Sequence, residues 1–422
     1  MQKANPNNTG DSAAQWRRRV ESELKGKPFN DLVHHIGEQE ILPMYFEHAT
    51  IAPHNSHQPW LIHEEFAGND AEELNKQVLL ALEGGAQSIG IPFIAGQMNI
   101  LLENVLIEYI HLHLRGVSYD LSCINEMSAL LTERTLATSA WKGSIDIDAA
   151  QCTFEFINEL HSPWKNTFSG VRIFQVDSVS VHDTGVDEIA ELVCMLRRSN
   201  AALDAITAAG INADDASAMM HWRTGIGTDF FNETAKFRAW RILWDALIKA
   251  FHPQHQCSSH TVVHAHISSA EYSPRDTHNN LLRISTAVLS AALGGAQYIS
   301  ADAYTQLTEA VSPADRRITR NVQHLLIEEG SIHQYLDATD GAHYFEAITE
   351  AIANAAWSKF MSFADLDENA FISYLHESAA QRKTDILTGK RVVVGSNKFV
   401  DGSAAIFASP TATHISAVAE KP

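Results

Sequence analysis

The chain has 422 residues, 45% hydrophobic and 19% charged, enough for the core of one large α/β domain or two smaller ones. Thirty-one basic residues against 51 acidic ones give a formal net charge of −20, which argues against nucleic acid or an anionic membrane as partner. Four widely spaced cysteines without a C-x-x-C pair argue for reduced core thiols, and the absence of an apolar leader or of 18 consecutive apolar residues makes a cytoplasmic chain the expectation.

In chain order, residues 1–15 read as a disordered tail rich in Asn, Ser and Gly. Residues 16–60 read as an N-terminal arm, with helices over 16–24 and 31–36 and then a Pro- and His-rich extended segment. The arm has little core of its own and suits packing on the main domain or on a partner. Residues 70–82 form the first clear helix, with Leu74 and Val78 on its apolar side. A repeated device follows, in which glycine closes a helix and a short apolar strand comes next. Gly85, Gly116, Gly143, Gly170, Gly295 and Gly330 precede strands at 86–93, 117–123, 144–148, 171–177, 296–302 and 331–337. Two more strands lie at 218–224 and 260–268.

Helical patterns at 100–114, 125–137, 154–160, 187–208, 229–251, 276–293, 315–329 and 344–360 separate or follow these strands. Eightfold strand–helix alternation predicts an α/β fold, a (β/α)8 TIM barrel over 61–400, with an open doubly wound sheet as the rival. No strand opens into G-x-G-x-x-G, so the rival lacks its usual support. A further helix to about Arg382, a strand at 386–395 and a loose tail over 401–422 complete the chain.

The strongest pattern spans Met220 to Phe251. A strand turns through Gly225 and Gly227 into a helix whose Phe230, Phe237, Trp240, Trp244, Leu247 and Phe251 share a face, with Asp229 as the expected N-cap. Histidine is abundant, at 22 residues. His260, His264 and His266 fall in one expected strand, but no carboxylate at motif spacing accompanies them, so they read as polar residues of a barrel mouth or core. No metal is expected.

Several segments resemble methylmalonyl-CoA mutases. They are the strand-to-loop stretch from Phe174 through Asp177, Val181, His182 and Asp183 to Gly185, and the stretch from Gly225 to Trp244. Asp276-Thr-His-Asn-Asn280-Leu-Leu-Arg283, Gly294-Gly295-Ala-Gln297 and Arg317-Ile-Thr-Arg320-Asn321-Val-Gln323 follow in the same order. So do Asp340-Gly341-Ala-His-Tyr344-Phe-Glu346 and Gly395-Ser-Asn397-Lys398, so that the likeness covers about residues 16–400. The resemblance implies a barrel from an enzyme that interconverts methylmalonyl-CoA and succinyl-CoA with adenosylcobalamin, the acyl-CoA lying along the barrel axis.

Three departures resemble the small, non-catalytic chain of the heterodimeric mutases. The chain ends soon after Lys398, where the linker to a cobalamin domain would begin, and the nearest match to D-x-H-x-x-G is Asp276-Thr-His278-Asn-Asn-Leu281, which lacks the glycine. Val181 stands where catalytic chains carry a tyrosine before the retained His182. Leu61-Ile-His63-Glu64-Glu65-Phe66-Ala67-Gly68 stands where they read Thr-x-Arg-Gln-Tyr-Ala-Gly, just before the first strand.

The resemblance therefore implies no catalytic or cofactor-binding residue here, with His182 a remnant. Adenosylcobalamin and the acyl-CoA would sit on a large partner chain, and Phe174, Val176, Trp222 and Ile267 would suit a filled axis. Arg283, Arg317 and Arg320 are candidates for phosphate or for pairing with the acidic surplus. The alternatives are a catalytic barrel that borrows a separate cobalamin-binding subunit and a metal-dependent barrel using His264 and His266.

Overall fold

Alternation of polar and apolar residues over five or six positions places one set of side chains inside a closed sheet and the other against surrounding helices. The computed structural model describes residues 10–36, 39–41, 60–308, 310–334, 337–363 and 368–400. The proline-rich part of the arm at 42–59, the tail at 401–422 and residues 1–9 lie outside the described residues, whereas residues 10–15, expected to belong to the disordered tail, are helical and begin the helix Gly10–Glu23. Eight parallel strands close a barrel in chain order. They are β1 (Leu61–Glu65), β2 (Ser88–Pro92), β3 (His111–Arg115), β4 (Lys142–Ile147), β5 (Val171–Asp177), β6 (Met220–Gly225), β7 (Val263–Ile267) and β8 (Tyr298–Ala301). Closure comes from β8 on β1, with Tyr298 opposite Leu61 and Ile299 opposite Ile62.

The barrel is the expected fold, but its staves are shifted against the sequence reading. The segment expected to precede the first strand is itself β1. The strand expected at 117–123 lies instead at His111–Arg115, where the sequence suggested the end of a helix. His-Leu-His-Leu-Arg alternates with period two, so Leu112 and Leu114 are buried among apolar side chains while His113 and Arg115 turn inward. With β1 filling the first place, 331–337 is surplus to the barrel, and Ile332–Gln334 is a 3-10 turn. The expected helix at 31–36 is a 3-10 turn, Phe29–Leu32, followed by a hairpin of His34–Ile36 and Gln39–Ile41 that lies against the helix at 343–362. The expected strand at 386–395 reduces to a single bridge between Val394 and Lys398.

The helical layer comprises α1 (Ala71–Glu83), α2 (Ser122–Glu133), α3 (Phe154–Thr167), α4 (Glu188–Ala208), α5 (Phe230–Lys249), α6 (Thr277–Gly294), α7 (Pro313–His324), α8 (His343–Ser362) and α9 (Glu368–Leu387). Short polar residues start these helices by accepting free N–H groups: Asp70 from Glu72 and Glu73, Asp187 from Ala190, and Ser312 with Asp315 as a reciprocal pair. Asp229 does not cap α5. Its carboxylate faces Asn232 Nδ2 at 3.4 Å, and the loop N–H of Gly227 is taken by Glu233 instead.

The aromatic stripe of α5 is buried as expected at Phe237, Trp240, Trp244 and Leu247. The helix is buried on nearly all sides from Asn232 to Arg241 because α4, α6 and α8 pack around it. Trp222 of β6 meets Trp240 and Trp244 with ring centroids 5.5 and 4.4 Å away, and donates from Nε1 to Ser199 Oγ at 2.9 Å. All four cysteines are free thiols, and no described helix is long and apolar enough to cross a membrane.

Candidate functional site on the barrel axis

The inward positions of the strands are polar. β1 supplies His63 and Glu65, β3 supplies His113 and Arg115, β6 supplies His221 and Arg223, and β7 supplies His264. Glu65 is the hub. Arg223 reaches it with a fork, Nε to Oε1 at 3.0 Å and Nη2 to Oε2 at 2.9 Å, and Arg115 donates to the same Oε2. Arg223 also donates to Asp177 Oδ2 at 2.9 Å, so the charges cross from β1 through β6 to β5. Below them, serines of neighbouring strands hold the imidazoles. His63 Nδ1 lies 2.8 Å from Ser88 Oγ and His113 Nδ1 2.7 Å from Ser144 Oγ. Ser300 Oγ bridges His264 Nε2 at 2.7 Å and His266 Nδ1 at 2.8 Å.

The rings pack edge to face, His63 against His264 at 4.4 Å and against His113 at 4.8 Å, and His113 against Tyr298 at 4.6 Å. What space remains among His63, Glu65, His113 and His264 is about that of a single water molecule. Burial holds His63, His113 and His264 well below the usual imidazole range, and His221 falls to about 3 for the same reason. Burial opposes ionisation of Glu65 too. Arg223, then His266 and Arg115, outweigh it and keep the carboxyl well below its usual range.

His182 belongs to a different cluster. It sits on the short helix Val179–Asp183 after β5 and packs so closely on Gly225 that a Cβ there would collide with its imidazole. Its Nδ1 meets Glu191 Oε2 at 3.0 Å, and its Nε2 stands 3.5 Å from Glu271 Oε1. Lys236 joins Glu191 at 2.9 Å, Glu233 at 2.7 Å and the Gly225 carbonyl at 2.8 Å, while Arg382 of α9 closes over Glu271. Burial alone would strip the proton from His182, but Glu191 and then Glu271 override it and push the pKa up to about 10. An imidazolium with both nitrogens facing carboxylates has no free lone pair for proton abstraction.

The other residues singled out in the sequence fall in structural places. Val181 is buried in the apolar core. Phe174 and Val176 flank the axial Gln175, which donates to His221 at 3.0 Å, while Trp222 and Ile267 alternate with Arg223 and His266. These four therefore point away from the axis. The axis is filled, but by imidazoles and an Arg–Glu network rather than by the apolar residues expected. Arg320 ties α7 to the barrel through Glu64 and the Gly84 carbonyl, Arg283 donates to Asn280 and to the Val394 carbonyl, and Arg317 is exposed. They do not converge on an anion site. His260 is exposed before β7 and apart from His264 and His266.

The residues present do not fit the groups that the mutase resemblance implies. A water-sized space admits no pantetheine arm. In the segment nearest to a cobalamin-ligand motif, Asp276 accepts from Asn279 Nδ2 at 2.9 Å at the start of α6, and His278 lies exposed on its first turn.

Comparison with known proteins agrees with the motifs. The family model described as Methylmalonyl-CoA mutase matches residues 147–417. The chain is 25% identical over 431 residues to the methylmalonyl-CoA mutase small subunit of Porphyromonas gingivalis, covering 91% of this chain and 69% of that one. It is 25% identical over 451 residues to the methylmalonyl-CoA mutase of Cereibacter sphaeroides (91% and 64%), and 25% identical over 341 residues to the small subunit from Streptomyces virginiae (76% and 54%). The chain thus spans about half to two thirds of the length of these curated relatives.

Proposed function

Because the chain belongs to the methylmalonyl-CoA mutase family, we propose that it is the small, structural subunit of an adenosylcobalamin-dependent mutase that interconverts methylmalonyl-CoA and succinyl-CoA. In this reading a large partner chain binds cobalamin and acyl-CoA and performs the rearrangement, and the two form a heterodimer. The observation that carries the proposal is the axial plug. Opening a channel would separate Glu65 from Arg223 and Arg115, stranding mostly buried charge at a cost of about 3–5 kcal/mol before any ligand contact is made. The sealed His182 supports the same reading, since its proton is fixed between Glu191 and Glu271.

The test is to co-express this chain with a long mutase chain carrying D-x-H-x-x-G and to titrate the purified pair with methylmalonyl-CoA. The expected result is a stable complex with one acyl-CoA bound per pair. Two equivalents per pair, or turnover by this chain with a free cobalamin-binding protein, would favour a catalytic barrel that borrows its cobalamin subunit.

A further inference from the structure

We infer that the axial cluster binds one divalent transition-metal ion of the zinc class through His63, Glu65 and His264. Their donor atoms lie within 4.8 Å of one another, with Glu65 Oε1 3.8 Å from His63 Nε2 and 3.7 Å from His264 Nε2. Each needs to move inward by less than about half an ångström to reach the 2.0–2.2 Å that zinc takes to imidazole and carboxylate. The carboxylate that sequence spacing could not supply comes from β1, on the far side of β8 from the histidine strand.

The surroundings are those of a ligand set. Ser88 engages Nδ1 of His63, which leaves Nε2 to point its lone pair toward Glu65 once Nδ1 carries the proton. The Arg223 fork fixes the plane of the carboxylate. A separate observation points to a ligand. Among the described residues, His113 Nε2 is buried without a hydrogen-bond partner, beside the same water-sized space and on a ring 4.8 Å from that of His63. An unmet buried nitrogen is destabilising, and a water held on the ion gives it a partner.

Arg115 and Arg223 already neutralise Glu65 and Asp177, so a hard cation that relies on carboxylate charge gains little here. An ion that bonds well to neutral imidazole is favoured, which selects zinc, copper, nickel or cobalt over magnesium and calcium. Ser300 would release His264 Nε2 and keep His266.

The experiment uses the full chain, stripped with a chelator and dialysed against zinc or magnesium, with bound metal measured by mass spectrometry. One equivalent of zinc and no magnesium is expected. His63→Gln and His264→Gln should each weaken zinc binding by more than about 100-fold, while His260→Gln, on the exposed loop before β7, should leave it unchanged. Loading with cobalt(II) needs no variant: the intense visible bands of a four- or five-coordinate ion are expected. Sub-stoichiometric zinc, a weak octahedral cobalt spectrum, or binding retained in both folded axial variants would each overturn the inference. The outcome is independent of whether the chain is a structural subunit.

Discussion

Two buried histidine clusters, one on the axis and one behind β6, reach opposite charge states under nearly the same burial. On the axis, burial holds His63, His113 and His264 below the usual imidazole range, and nothing reverses it: arginines have claimed Glu65, and the hydrogen-bond partners of the three rings are serines. Behind β6, His182 is charged because Glu191 and Glu271 face its two nitrogens. Burial sets the direction for an isolated imidazole, and the ownership of the nearest carboxylate decides the result. The axial imidazoles thereby form an uncharged, hydrogen-bonded layer beneath the Arg–Glu network, and His182 becomes a buried cation.

The sharpest way to break this contrast is Glu191→Ala. Glu191 accepts from Ser178, Thr224, the Gly225 amide, His182 and Lys236, so its loss removes five buried hydrogen bonds and one of the two carboxylates that face each of two buried cations. Urea unfolding is expected to show a loss of about 3–5 kcal/mol. Glu65→Gln should cost less, about 2–3 kcal/mol, because Arg223 keeps Asp177 and Arg115 is partly hydrated.

The pH dependence separates the clusters without destroying either. His182 has a folded pKa of about 10 against 6.5 for the free side chain, so its stabilisation is complete below pH 6.5 and is lost as pH rises through about 10. The axial histidines are shifted the other way. As pH falls below 6.5 the unfolded chain binds protons that they do not, and stability drops. Glu65 and Glu191, both held below their usual range, steepen that acid limb. Urea midpoints measured across pH should show His182→Gln flattening the alkaline limb and sparing the acid one. The smallest expected effect lies outside both clusters: Asp70→Ala, which removes the cap of α1, should lower stability by about 1 kcal/mol.

Much of the fold was legible because β/α alternation leaves a strong local record, as the Met220–Phe251 unit shows. The helix starts at Asp70, Asp187 and Ser312 are likewise local. Strands β1 and β3 were missed for a physical reason. Leu-Ile-His-Glu-Glu and His-Leu-His-Leu-Arg carry the polar plug, so they lack the apolar run by which buried parallel strands are found. The signal that could have revealed them is a polar residue repeated at i, i+2: His63 and Glu65, His111 and His113, His221 and Arg223, His264 and His266. Its meaning appears only on closure, since Glu65 and Arg223 are 158 positions apart and Glu65 and Arg115 are 50 apart.

The plugged axis is tested most directly by calorimetric titration of the isolated, folded chain with coenzyme A and methylmalonyl-CoA. No saturable heat up to millimolar ligand is the expected result. A stoichiometric, micromolar complex with either compound would contradict the account.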